Sequence, residues 1–267
     1  MNFFSLFKRK IIYQLRKKIK IDNVDININN LDKLFNFYGS DKAEIFKESN
    51  SKGHGFSNFY EKYFENLKQN NLNILEIGSY AGASAAAFSK FLPNSKIFCF
   101  DVNISNFKYS AKNIFVFGLD VRNEKNVEKN LKKILFNHQF DNFDFIIDDG
   151  SHNLSDILFS LKYFFKYLKK SGIYVIEDFK HPNYYKYNKD VDDILVDKML
   201  ENLKQKQFFQ SSILDKESQL YLFNNIGKIE IFKGNLANSD ICFLEKKINW
   251  FSFPLIFFLI HLFQTSL

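Results

Sequence analysis

Residues 143–179 read as an apolar run ending on acids, an amphipathic stretch, and a second apolar run ending on acids. Few folds accommodate that order. The first run, residues 143–147, stops at Asp148, Asp149, Gly150, Ser151 and His152. Leu154, Ile157, Leu158, Leu161, Phe164, Phe165 and Leu168 then recur at helical spacing on one face. Gly172 is placed to end that helix, and the second run, 173–176, stops at Glu177 and Asp178. A strand, helix and strand of these lengths predict a right-handed crossover between parallel strands. Ligands in such sheets sit beyond the carboxyl ends of the strands. Asp149, Glu177 and Asp178 are therefore expected to converge, with His152 one helical turn away. Three facing carboxylates repel unless a cation or shared protons neutralise them. Hard oxygen donors without a neighbouring cysteine suit Mg²⁺, Mn²⁺ or Ca²⁺. An imidazole beside such a cation suits proton removal near neutral pH. Capping of helices and solvation of strand ends is the plainer reading, but it requires neither both acid clusters nor the histidine.

A nucleotide-binding half precedes this unit. Residues 73–78, NILEIG, read as a strand entering a loop, followed by Ser79, Tyr80, Ala81, Gly82, Ala83, Ser84 and a helix of small residues. Glycines there let the backbone approach a ligand at a helix N-terminus. A dinucleotide fingerprint would need glycine at position 80, where Tyr80 stands, and no Walker-type lysine follows. The loop thus suits a nucleoside without phosphates better than a pyrophosphate. A strand at 96–100 ends at Asp101, placed to accept both ribose hydroxyls. A third strand, 114–117, leads to Asp120 on the adenine side. The expected fold is α/β, a doubly wound Rossmann-like sheet of seven mostly parallel strands. An antiparallel C-terminal hairpin, built from 219–223 and 228–232 around Asn224–Gly227, closes one edge.

Charge separates the ends from the body. The formal charge is +7, from 37 basic and 30 acidic residues. Seven of the basic residues lie within 1–20, which hold no acid, so the remainder is neutral. That argues against a nucleic-acid-binding body. Residues 1–20 interleave those charges with Phe3, Phe4, Leu6, Phe7, Ile11, Ile12, Leu15 and Ile19, a basic amphipathic pattern suited to an anionic membrane surface or to packing on protein. The chain divides into a basic arm and linker (1–31), a helical lid or substrate-side segment (32–70), the sheet domain (71–240) and an apolar tail (241–267). The tail has no charged side chain from 248 onward and contains Pro254, which suits interfacial insertion or docking rather than a spanning helix. Residues 190–215 read as polar helix. Two widely spaced cysteines, Cys99 and Cys242, point to a reducing, cytoplasmic setting, with contact at the inner face of the membrane through residues 1–20 and 249–263.

With these residues assembled, the chain resembles the class I S-adenosylmethionine-dependent methyltransferases, and within them the metal-dependent macrocin and mycinamicin type of sugar O-methyltransferase. The likeness rests on Leu75-Glu76-Ile77-Gly78, Gly39-Ser40-Asp41-Lys42, His54-Gly55-Phe56 with Tyr60, Asp148-Asp149-Gly150-Ser151-His152, and Glu177-Asp178. It implies that Glu76, Gly78, Ser79, Gly82, Ser84, Asp101, Asp120, Asp148 and Tyr60 bind S-adenosylmethionine. It implies also that Asp149, Glu177 and Asp178 hold Mg²⁺ or another divalent cation, and that His152, with Asp149, performs catalysis. Ala43 and Phe56 stand where glycine and tyrosine are commoner, and the termini have no counterpart in the macrolide enzymes. The acceptor is therefore expected only to contain a sugar: a nucleotide sugar, lipid-linked glycan or polysaccharide, with surface-glycan biosynthesis as the setting. A homo-oligomer is compatible with this pattern. Two other readings use the same sheet, an NAD-dependent oxidoreductase and a catalytically silent binding module.

Overall fold

The computed structural model describes residues 3–248. Seven strands form one sheet: β1 (Asn73–Ile77), β2 (Lys96–Asp101), β3 (Ile114–Gly118), β4 (Phe143–Asp148), β5 (Leu168–Glu177), β6 (Ile226–Lys233) and β7 (Asp240–Lys246), in the order β6-β7-β5-β4-β1-β2-β3. β5, β4, β1, β2 and β3 are mutually parallel, whereas β7 runs antiparallel to β5 and to β6. Strand order reverses at β1, which opens a crevice between its neighbours β2 and β4. Register brings Ile77 opposite Asp148, and Asp148 opposite Ile176, so the acid-bearing ends of β4 and β5 lie level with the end of β1.

Alternation along the strands divides the core in two. Leu75, Ile77, Phe98, Phe100 and Ile146 face α5 (Glu124–His138), α6 (Leu154–Phe164), α8 (Val196–Lys204) and α9 (Lys216–Asn225). Ile74, Ile97, Cys99, Phe145 and Ile147 face α2 (Leu31–Tyr38), α3 (Ser57–Phe64) and α4 (Ala83–Phe91). A sheet covered on both faces explains why its central strands are near-continuous apolar runs. Cys99 and Cys242 are buried and unpaired.

Several boundaries differ from the sequence reading. Residues 219–223 are not a strand: Lys216–Asn225 is helix α9, capped by Asp215, whose carboxylate accepts the Ser218 amide at 2.8 Å. The hairpin instead joins β6 to β7, which places residues 241–246, assigned above to the apolar tail, inside the sheet. Gly172 does not end a helix, because α6 gives way to a short 3₁₀ turn at Phe165–Tyr167 and β5 has begun by Leu168. Only Val196–Lys204 of the 190–215 stretch is α-helix. The linker is pinned: Ile21 is buried, and Ile19–Lys20 pair parallel with Tyr109–Ser110. The basic arm forms α1 (Phe3–Leu15), with an Arg9 Nη1 to Val102 carbonyl bond of 2.8 Å and an edge contact between Tyr13 and Phe107. Among the described residues no helix is long and apolar enough to cross a membrane. The proposed membrane contact at 249–263 lies outside the described residues.

Candidate active site

A cleft of about 640 Å³ opens over the carboxyl ends of β1, β2 and β4. One side of it is the loop between β1 and α4, where Gly78, Ser79, Tyr80, Ala81 and Ser84 line the cavity. Gly78 has φ +86°, a left-handed conformation that costs a side-chain-bearing residue strain. Asp101, at the tip of β2, accepts the Tyr80 amide at 2.7 Å and the Asn103 amide at 2.5 Å, which fixes its carboxylate at the cleft wall. Asp120 also lines the cleft, and Arg122 holds it through Nε and Nη2, both at 3.1 Å. That guanidinium, with the Arg122 amide, pulls the Asp120 carboxyl down to about 2 against the opposing effect of burial. No lysine or arginine occurs in residues 78–84, so the loop offers donors and glycine without a phosphate counter-charge.

On the opposite side, β4 ends in Asp148 and Asp149, followed by Gly150, Ser151 and His152, all at the cleft wall. Asp148 is buried beside Tyr174; burial first, and then the charge of Asp149, push its carboxyl up to about 7. His152 has φ +57° and sets its Nε2 3.7 Å from Asp149 Oδ1. Its ring lies 5.6 Å from that of His181, whose Nδ1 is 2.7 Å from the Asn188 amide nitrogen.

Asp149 and Glu177 do converge, and the cation between them is the Lys42 ammonium. Lys42 Nζ donates to Asp149 Oδ2 and, at 2.6 Å, to Glu177 Oε2, while its side chain is only 2% exposed. The second oxygen of Glu177 accepts the Tyr60 hydroxyl at 2.5 Å. Burial and Asp149 raise the Glu177 carboxyl despite Lys42 and Tyr60, so the cluster is short of positive charge. Asp178 departs from the expected triad. Its φ is +49°, and its carboxylate faces His54, with Oδ1 3.3 Å from Nδ1. Burial lowers His54 basicity, but the hydrogen bond and charge of Asp178 outweigh it and raise the imidazole above its ordinary value. Among the described residues, no three His, Cys, Asp or Glu side chains gather round one point as a ready metal cage.

Three residues expected at the cofactor lie elsewhere. Glu76 is buried on the α4 face, where its Oε1 accepts the Ser84 hydroxyl at 2.5 Å. Tyr60 sits under Glu177 rather than in the cleft. Gly82 caps α4 at φ +79° against the Phe107 ring, which a β-carbon would meet at 2.4 Å. The sequence reading in turn missed Lys42 as the partner of the acids, along with Phe46, Glu48 and Arg122, which line the cleft.

The donor set nevertheless fits a divalent cation. Two carboxylate oxygens from different strands already share one cation position. The buried Asp178 Oδ1, with the His54 imidazole 3.3 Å away, and the raised Glu177 carboxyl both mark a site that more positive charge would satisfy.

Residues 75–179 match the protein family described as Methyltransferase domain. Among curated proteins, the chain is 26% identical over 132 residues to a mycinamicin VI 2''-O-methyltransferase of Micromonospora griseorubida, covering 47% of this chain and 31% of that protein. It is 29% identical over 147 residues to an L-olivosyl-oleandolide 3-O-methyltransferase of Streptomyces antibioticus, covering 52% and 36%. The chain thus spans about a third of the length of these relatives. Among solved structures, it superposes on the MycE methyltransferase of the mycinamycin pathway, described as a complex with Mg, SAH and mycinamycin VI. The TM-score is 0.64 at 20% identity, over 85% of this chain and 57% of that one. That likeness is one of fold.

Proposed function

We propose, from the methyltransferase domain carried by residues 75–179, that this chain transfers a methyl group from S-adenosylmethionine to a sugar hydroxyl with the help of a divalent cation. The acceptor is a sugar-containing molecule of surface polysaccharide or glycoconjugate biosynthesis. The observation that carries this reading is one cleft lined by a phosphate-indifferent loop, Asp149, His152 and Lys42, whose ammonium also reaches the buried Glu177. Relatives named as a mycinamicin VI 2''-O-methyltransferase and an L-olivosyl-oleandolide 3-O-methyltransferase support an O-methylated, sugar-bearing acceptor.

S-adenosylmethionine supplies an electrophilic methyl group on a positively charged sulfur. Gly78, Ser79 and Tyr80 would form the wall for that nucleoside, and Asp101, held in place by the Tyr80 amide, would accept from its ribose. Asp149 and Glu177 would hold a divalent cation, which would supply Lewis acidity towards a sugar hydroxyl. His152 receives the hydroxyl proton at Nε2, and Asp149 Oδ1 steadies the imidazolium that results. The paired tips of β4 and β1 would position the two reactants beside each other, which would lower the entropic part of the barrier.

Calorimetry of the full chain with S-adenosylmethionine and with NAD⁺, each with and without Mg²⁺, tests the proposal. Binding of S-adenosylmethionine alone supports it. Binding of NAD⁺ instead returns the oxidoreductase reading, and binding of neither leaves a silent module. Mass spectrometry of surface glycans from a deletion strain, searching for a lost methyl group, identifies the acceptor.

A further inference from the structure

We infer that Lys42 is a tethered counter-ion that occupies the divalent-cation position between Asp149 and Glu177 and sets the affinity of that position by competing for it. This inference rests on the metal-assisted reading above, but its tests do not use methyl transfer.

The two acids are 107 and 135 residues from Lys42 in sequence, yet its ammonium donates to both. Each carboxylate is turned towards it by a different neighbour: Tyr60 takes the other oxygen of Glu177, and His152 lies nearest the other oxygen of Asp149. An oxygen pair that grips one ammonium at hydrogen-bond length needs to close by only about half an ångström per bond to grip Mg²⁺. An ammonium and a dication cannot share that position, because like charges at such separation repel strongly. One must leave.

The backbone around Lys42 is held by hydrogen bonds, so release of the ammonium would have to come from the buried side chain. The Phe56 amide donates to the Lys42 carbonyl at 2.8 Å, the His54 amide to the Asp41 carbonyl at 2.6 Å, and the Gly55 amide to the Ala43 carbonyl at 3.1 Å. What remains free is a four-carbon stem at the cleft wall. The tether also resolves a physical problem of the metal-free protein. A buried Glu177 facing the partly buried Asp149 without a cation would be destabilising, and Lys42 neutralises one charge of that pair.

Reductive methylation of the wild-type full chain, mapped by mass spectrometry, reports on the ammonium directly. Lys42 is expected to be protected without metal and to become reactive when Mg²⁺ is added. Calorimetry with Mg²⁺ alone supplies the second readout: Lys42→Met should bind Mg²⁺ about tenfold tighter or more than wild type, and should gain more thermal stability from it. A Lys42→Met protein that folds only with Mg²⁺ present supports the inference equally. Weaker Mg²⁺ binding by Lys42→Met, no Mg²⁺ binding by either protein, or Mg²⁺ binding that leaves Lys42 protected would overturn it. Retained S-adenosylmethionine binding in any of these cases shows that the methyltransferase reading stands without it.

Discussion

A β-carbon placed on Gly78 would lie 1.9 Å from the carbonyl oxygen of Asp149. The nucleoside loop and the acid loop are therefore in backbone contact, further tied by the Asp149 amide donating to the Ile77 carbonyl at 2.9 Å. Gly78→Ala must push these loops apart as well as strain a left-handed residue. Overpacking and backbone strain together predict a loss of about 2–4 kcal/mol in stability, read from the urea midpoint. S-adenosylmethionine binding should weaken in the same variant. Unchanged stability would mean that the two loops are not in contact in solution.

His152→Ala separates chemistry from binding. Removal of a general base lowers turnover by about 10²–10⁴-fold, whereas the dissociation constant for S-adenosylmethionine should stay within about twofold, since the polar contact of the His152 ring is Asp149 rather than residues 78–84. Stopped turnover assays and calorimetry on the same preparation check both halves. Full turnover in this variant would assign the proton to another group, with His181, 5.6 Å away, the first to examine.

Tyr60→Phe tests which side of the cleft Tyr60 serves. The hydroxyl donates to a buried Glu177 oxygen, so its removal leaves an acceptor short of a partner and costs about 1–3 kcal/mol. Mg²⁺ affinity should change, and S-adenosylmethionine affinity should not. The opposite pattern would restore Tyr60 to the cofactor.

The parallel core was legible because a strand buried on both faces must be largely apolar, and β1, β2 and β4 carry that signature with Glu76 and Asp144 as the interior exceptions and acids at the tips of β2 and β4. Residues 219–223 misled because the consecutive apolar Leu220, Tyr221, Leu222 and Phe223 suit a short strand, while the Asp215 helix cap lies upstream of them. The site was legible only as far as local sequence reaches. Asp148 to His152 form one loop, and their shared location follows from the end of β4. The pairings Lys42–Glu177 and His54–Asp178 depend on how residues 39–56 fold across the cleft, and nothing in either segment's own pattern encodes the other. Glu76 shows the same limit: strand alternation alone turns it away from the cleft, and the motif it belongs to suggested otherwise.

That buried position gives Glu76 a pH signature. Burial first, then the charge of Asp149, raise its carboxyl above the ordinary glutamate value of 4.5, with Lys42 and Ser84 opposing, and its Oε2 has no hydrogen-bond partner. A carboxyl whose folded value is raised binds its proton more tightly in the folded state than in the unfolded one. Its contribution to stability is fully present below about 4.5 and is lost as pH rises through the folded value. Glu76→Gln keeps the shape and the acceptor for Ser84 but cannot ionise. Between pH 5 and pH 8 the urea midpoint of the metal-free wild type should therefore fall further than that of Glu76→Gln, and the variant should be the relatively more favoured protein at the alkaline end. Parallel midpoints across that range would show that Glu76 titrates in the folded protein as it does in the unfolded chain, and that its burial is less complete in solution.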